Sequence, residues 1–173
     1  MQSMIETRNC DCVGIEKNPV WARTARKLGL SVIEHDIQAG LGELSHLGTF
    51  DHIIFGDVLE HTSNPEDVLK SSRLLLRPDG SVIVSLPNVV SLMSRIRILA
   101  GKWQYTDTGI LDRTHLRFFC IRSGRELICD SGFRIIKESF AGPMTFHMGR
   151  VGILLTRARP NLLANQMIFE IGT

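Results

Sequence analysis

The sequence predicts an α/β protein: a mostly parallel sheet with helices on both faces. Two observations carry this. Short apolar runs of strand length alternate with runs of helical period from one end of the chain to the other. Cap and stop residues fall between the two kinds, so that strand, helix and strand follow in sequence, the order a parallel sheet requires.

Taken in order, Cys12-Val13-Gly14-Ile15 reads as a buried strand. Asn18 and Pro19 then open a helix, Asn18 as N-cap and Pro19 at the first position, where a missing N–H costs nothing. Trp21, Ala25 and Leu28 share one face, and Gly29 stops it. Leu30 to Ile33 is a second strand and Asp51 to Gly56 a third. Ser63-Asn64-Pro65-Glu66 fits a capping box, ahead of a helix burying Val68, Leu69, Leu75 and Leu76. Arg77-Pro78-Asp79-Gly80 reads as a turn before a fourth strand, Ser81 to Leu86. Residues 89–100 form an amphipathic helix (Val89, Leu92, Met93, Ile96, Leu99) closed by Gly101. Ser123-x-x-Glu126 caps the next helix, which ends at Gly132. Phe133 to Phe140 is a fifth strand, a helix-prone stretch covers 148–157, and Gln166 to Ile171 is the last strand.

At 173 residues the chain is the length of one domain, and roughly 70% of its unfolded surface can be buried in a single core. Hydrophobic residues at 43% and charged residues at 22% exclude disordered, collagen-like and coiled-coil classes. No apolar run approaches the ~20 residues of a membrane span, and Met1 to Glu6 do not read as a signal peptide. A soluble, cytoplasmic protein with no membrane partner is expected. Cys10, Cys12, Cys120 and Cys129 match no zinc-ligand spacing; they read as reduced thiols, and no metal is expected. Residues 1–88 hold 8 bases against 12 acids and residues 89–173 hold 12 against 6, net −4 and +6. The bases are scattered and lack interleaved aromatics, which argues against nucleic acid.

In open parallel sheets ligands sit just beyond the C-terminal strand ends, so function is sought there. The first strand ends in Glu16, next to Lys17. A carboxylate here can accept both hydroxyls of a ribose, or simply sit favourably near a helix N-terminus. The second ends in His35-Asp36-Ile37: Asp36 can accept from an exocyclic amine such as adenine's, with the Ile37 amide on a ring nitrogen, or can serve as a turn or cap residue. The third ends in Gly56-Asp57-Val58-Leu59-Glu60-His61. A solvated loop is one reading, but the apolar pair within it points to a covered ligand.

Val-Gly-Ile-Glu16, Asp36 after the next strand, Phe50-Asp-x-Ile-Ile-x-x-Asp-Val-Leu-Glu-His61 and Leu75-Leu-x-Pro-Asp-Gly-x-x-x-x-Ser-Leu-Pro-Asn88 together resemble the class I S-adenosylmethionine-dependent methyltransferases. Asp112-Arg-Thr-His-Leu-Arg-Phe-Phe119 resembles a segment of their small-molecule and glycan-associated branch, and Pro160 to Gln166 resembles the methionine-biosynthesis protein W group. The resemblance implies a Rossmann-like fold whose last strand is antiparallel. It implies S-adenosylmethionine as cofactor, with Glu16 at its ribose and Lys17 also among the cofactor-binding residues, Asp36 and the Ile37 amide at adenine, Asp57 and Val58 along its methionine and ribose side, mostly through backbone, and Leu59 packing near it. His61, Asn88, Asp112 and His115 would face a small-molecule or glycan-related acceptor. His61 and His115 are the plausible bases if the acceptor must lose a proton, or else orienting hydrogen-bond groups. Among the bases of segment 95–125, which also reads as an ordinary solvated face, Arg117 beside His115 is the best candidate for substrate contact.

The family's glycine-rich turn, G-x-G-x-G, does not occur in these residues. The resemblance implies a domain over 1–173 that lacks its first central strand at the N-terminus, with the two flanking strands closed up, covered by a partner chain or second copy, or completed by a longer chain. Two other functions stand beside it: a non-catalytic, methyltransferase-like binding or regulatory subunit, which the absent turn supports, and a nicotinamide-dependent oxidoreductase, which shares the acidic strand-end residue. The latter lacks its own glycine fingerprint equally and does not account for Asp57 to His61.

Overall fold

In the computed structural model, which describes the backbone of residues 1–173 and all side chains but those of Ser3, Thr7, Arg8, Met144 and Phe146, strands and helices alternate as predicted. They fall into two units, residues 1–41 and 42–173.

The first unit contains α1 (Gln2–Arg8), β1 (Gly14–Glu16), α2 (Pro19–Lys27) and β2 (Val32–Glu34). β1 and β2 pair in parallel, Gly14 opposite Val32 and Glu16 opposite Glu34. The predicted cap is present: Asn18 Oδ1 accepts from the amides of Val20 (2.9 Å) and Trp21 (3.3 Å), with Pro19 beginning the helix. The predicted buried face is not. Ala22 is the buried residue of α2, while Trp21 and Leu28 are 67% and 68% exposed. A sheet of two three-residue strands covers little area, and a small side chain suffices to pack on it.

The second unit contains β3 (Phe50–Gly56), α3 (Pro65–Ser72), β4 (Leu76–Pro87), α4 (Leu92–Leu99), α5 (Ile121–Asp130), β5 (Arg134–Ala141), α6 (Pro143–His147), α7 (Gly149–Ala158), α8 (Pro160–Leu163) and β6 (Gln166–Gly172). Its sheet has the order β3-β4-β6-β5. β3 and β4 are parallel, and β6 runs antiparallel to β4 and β5, which is the antiparallel last strand of an otherwise parallel α/β sheet. The core is built by alternation on the two central strands: Val82, Val84 and Leu86 of β4 and Met167, Phe169 and Ile171 of β6 are all fully buried. Leu127 and Ile128 of α5 and Val68 and Leu69 of α3 are buried with them.

Several local expectations are corrected. Asn64, not Ser63, directly precedes α3, and its side chain does not cap the helix; the Asn64 side-chain amide instead donates to Asp67. Pro65 makes the cap less needed, having no N–H to satisfy. At α5 the capping relation is reversed: Ser123 sits at the third helical position and its Oγ accepts from the Cys120 amide (2.9 Å), while Glu126 pairs with Arg122. Arg77–Gly80 lies within β4 as a bulge, since the pairing steps from Phe50–Leu76 to His52–Ser81, and Arg77 is held by Asp51. The apolar stripe of α4 is largely exposed: Leu92, Met93, Ile96 and Leu99 face solvent and the buried residue is Ser94, which shares a hydrogen bond with Ser91 (3.2 Å).

Gly142 lies between β5 and α6 with no room for a side chain, because a Cβ there would overlap the Leu163 carbonyl. Gly142→Ala is expected to destabilise the protein by about 1–3 kcal/mol, read as a lower urea midpoint; Gly56→Ala, where a Cβ meets open space, should cost under about 1 kcal/mol.

Candidate active site

In the first unit, parallel register brings two carboxylates to neighbouring strand ends. Glu16 closes β1 and the His35 amide, just past β2, donates to its carbonyl (3.2 Å). Glu16 is half-buried and its Oε1 accepts from the Asn18 amide (2.7 Å). Asp36 is exposed and caps the 3-10 turn at 37–39, its Oδ1 accepting from Gln38 (3.0 Å). These bonds use one oxygen of each carboxylate. Ile37 is half-buried and Lys17 exposed.

In the second unit, β3 ends in Gly56 and the chain turns sharply at Asp57, whose φ is +54°. A short polar side chain tolerates that conformation, and bonds hold it. Asp57 Oδ1 accepts from Ser85 Oγ (2.9 Å) at the end of β4 and from the Gln166 amide at the start of β6. Three strand ends are thereby tied together. Val58 is half-buried, Leu59 is fully buried, and residues 59–61 form a 3-10 turn.

That turn delivers Glu60 inward and His61 toward the loop of residues 110–118. The Glu60 carbonyl accepts from two consecutive amides, Leu116 (2.8 Å) and Arg117 (3.0 Å), which docks the loop against the turn. His115 is thereby brought beside His61, their rings edge-to-face at 4.7 Å. Phe118 lies 6.2 Å from His115 and Trp103 lies 5.7 Å from Phe118, so four rings follow one another along this surface.

Hydrogen bonding decides both tautomers. His115 Nδ1 is 3.1 Å from the Ile110 carbonyl, which can only accept, so Nδ1 carries the proton and Nε2 presents its lone pair. His61 Nδ1 likewise faces the Thr114 carbonyl (3.1 Å) and Thr114 Oγ1 (3.0 Å). Thr114 Oγ1 donates in turn to Asp112 Oδ1 (2.6 Å), which also accepts the Thr114 amide (2.8 Å). Those two bonds hold the Asp112 carboxyl below its ordinary range. Partial burial lowers His115 from its usual value and favours the neutral ring.

Glu60 is fully buried and neither carboxylate oxygen has a hydrogen-bond partner among the described residues. Burial first, and the nearby Asp57 charge last, push its pKa up to about 7. One potential ligand atom each of Glu60, His61 and His115 lies within 4.8 Å of the others, a trio able to hold a cation.

The predicted residues thus form two groups. Glu16, Lys17, Asp36 and Ile37 lie at the strand ends of the first unit; Asp57, Val58, Leu59, His61, Asp112 and His115 gather at one end of the sheet in the second. Asn88 is a correction. It is fully buried, its Nδ2 donates to the carbonyls of Ala164 (2.8 Å) and Asn161 (3.4 Å) and its Oδ1 accepts from the Val90 amide, so it clamps the end of β4 to the residues before β6 and is closed off from solvent. Arg117 is exposed and donates to the Ser63 carbonyl (2.7 Å). The sequence reading gave no role to Glu60, Thr114, Ser85 or Gln166. Glu60 had one signal, an acidic residue directly after a buried leucine.

In the first unit two carboxylates lie at neighbouring ends of parallel strands, and in the second β3 ends in the turn at Asp57. A family model described as a methyltransferase domain matches residues 2–138, and the chain belongs to that family. Among solved structures, a SAM-dependent methyltransferase from Archaeoglobus fulgidus aligns with TM-score 0.65 at 14% identity, over 98% of this chain and 79% of that one. A putative methyltransferase complex with the Trm112 activator from Haloferax volcanii aligns at 0.65 and 13%, over 99% and 76%. Magnesium protoporphyrin IX methyltransferase from Synechocystis, with bound SAH, aligns at 0.59 and 15%, over 92% and 62%. No curated protein sequence matches.

The residues fit the family's cofactor, S-adenosylmethionine. Its ribose hydroxyls and adenine amine are donors, and Glu16 and Asp36 are acceptors at adjacent strand ends. At Gly56 a Cβ would meet nothing, so the end of β3 is open to a ligand.

Glu60 generates a prediction. Its folded-state pKa of about 7 stands above the ordinary 4.5, so its ionisation destabilises the fold. That penalty is absent below pH 4.5, develops as pH rises, and is complete above pH 7. In chelator, Glu60→Leu should gain stability relative to the parent by roughly 2–3 kcal/mol between pH 4 and pH 8, measured by urea unfolding at both. An advantage independent of pH would contradict the buried charge.

Proposed function

We propose that this S-adenosylmethionine-dependent methyltransferase acts on a small-molecule or glycan-related acceptor, with Glu16 at the cofactor's ribose and Lys17 beside it in the chain, Asp36 and Ile37 at adenine, Asp57 and Val58 along its methionine and ribose side, and Leu59 packing near it. The observation that carries the cofactor half is the placement of Glu16 and Asp36 at neighbouring ends of parallel strands. Charge-assisted hydrogen bonds from donors to such carboxylates contribute about 1.5–3 kcal/mol each.

The cofactor brings a methyl group on a sulfonium, so the chain's own work is binding, alignment and exclusion of water. His61 and His115 take the acceptor side. Each has Nδ1 engaged and Nε2 as acceptor, the arrangement of a base ready to receive a proton from a hydroxyl or amine. Asp112, through Thr114 Oγ1, is a positioning residue for His61, favouring the Nδ1–H form. The row of rings from His61 to Trp103 supports a small acceptor with a flat face. Arg117, with donors beyond the one given to Ser63, would meet an acidic group on it. The family match favours this reading over a non-catalytic subunit.

The test is calorimetric titration of the chain with S-adenosylhomocysteine. Micromolar binding is expected, weakened at least about tenfold in Glu16→Ala, the loss of one charge-assisted bond. Binding by a folded chain that Glu16→Ala leaves untouched would remove the ribose assignment.

A further inference from the structure

We propose that Glu60, His61 and His115 form a binding site for one divalent transition-metal ion. The three residues supply two imidazole nitrogens and a carboxylate oxygen, with candidate ligand atoms within 4.8 Å of one another. Such a donor set suits zinc, cobalt, manganese or iron rather than magnesium or calcium, which prefer all-oxygen shells.

The strongest observation is the carboxylate. Glu60 is fully buried, and neither of its oxygens meets a donor among the described residues. Buried carboxylates are paired or coordinate metals, because an isolated one costs several kcal/mol. A candidate ligand nitrogen of each histidine stands within 4.8 Å of the carboxylate, and a cation between the three would neutralise it.

The imidazoles are independently prepared. Each donates its Nδ1 proton to backbone carbonyl oxygen, His61 to Thr114 and His115 to Ile110, leaving the Nε2 lone pairs for a ligand. Second-partner hydrogen bonds of this kind fix tautomer and orientation at metal-bound histidines. The backbone is held too, since the Glu60 carbonyl accepts from the amides of Leu116 and Arg117, the two residues directly after His115. Ligands at ~2.1 Å in a tetrahedral site stand about 3.4 Å apart, so the trio must close by about 1.4 Å, within reach of rotations of two half-buried rings.

Three protein ligands leave a coordination position open. The ion would recruit the same lone pairs that serve as base in the proposed methyl transfer, so the two roles are alternatives; a bound ion would instead acidify an acceptor oxygen placed on it. The site itself does not depend on the methyltransferase reading.

The experiment is titration of the metal-free, full chain with Zn²⁺ by calorimetry and with Co²⁺ by visible absorption. One ion per chain is expected, with His61→Ala, His115→Ala and Glu60→Gln each weakening it at least about tenfold and His46→Ala, on an exposed turn, without effect. Cys10→Ser/Cys12→Ser should bind as the parent does; loss of binding there would assign the ion to the thiols and overturn the proposal. A readout without substitution uses Mn²⁺, which should broaden the ring signals of His61 and His115 before those of His46 or His147. Failure to bind one equivalent, binding indifferent to the histidine variants, or uniform broadening of all histidines would each overturn the site. Zn²⁺ should also raise the melting temperature of the parent and not that of Glu60→Leu.

Discussion

A buried acid whose backbone does one job and whose side chain another organises the functional end of the larger unit. The Glu60 carbonyl accepts two consecutive amides of the loop that carries His115, and so decides where that loop lies. The Glu60 carboxylate is fully buried with no hydrogen-bond partner among the described residues. The backbone interaction stabilises the fold, and the side chain works against it. A protein of ordinary stability, about 5–15 kcal/mol, does not carry such a group without consequence. The rings of His61 and His115, the Thr114–Asp112 hydrogen bonds and the row of aromatic side chains all follow from that docked loop.

The strand ends around it are braced by polar side chains. Ser85 and Gln166 hold Asp57 in its positive-φ turn. Asn88 spans from β4 to the residues before β6, satisfying backbone carbonyls that burial would otherwise leave without donors. Behind these braces stand the alternating apolar residues of β4 and β6. A close-packed core resists displacement, so strand ends tied to it are a rigid support for groups that must be aimed.

The helices show how composition and packing part company. The apolar residues of α4 lie at helical spacing, yet Leu92, Met93, Ile96 and Leu99 are exposed, as are Val151 and Leu154 of α7. In α2 the same happens to Trp21 and Leu28. Period 3.6 establishes that a segment is a helix with an apolar side; it does not establish what that side meets. Where a strand pair is narrow, as with β1 and β2, a single alanine is enough to pack on it.

Local chemistry is what the sequence by itself determined. Asn18-Pro19 began a helix because an amide oxygen and a missing N–H solve the same end problem. The parallel strands followed from alternation, and Glu16, Asp36 and Asp57 were legible as strand-end residues because that position depends only on where each strand stops. Tertiary structure alone decided the rest. Asn88 reads as a polar residue after a strand, but it is enclosed by a segment more than seventy residues away. Glu60 reads as one more acid in a loop, and becomes a buried, unpartnered carboxylate facing two histidines because residues 115–117 fold back upon it. Pairings between distant segments depend on the whole path of the chain, and no local pattern of residue types encodes them.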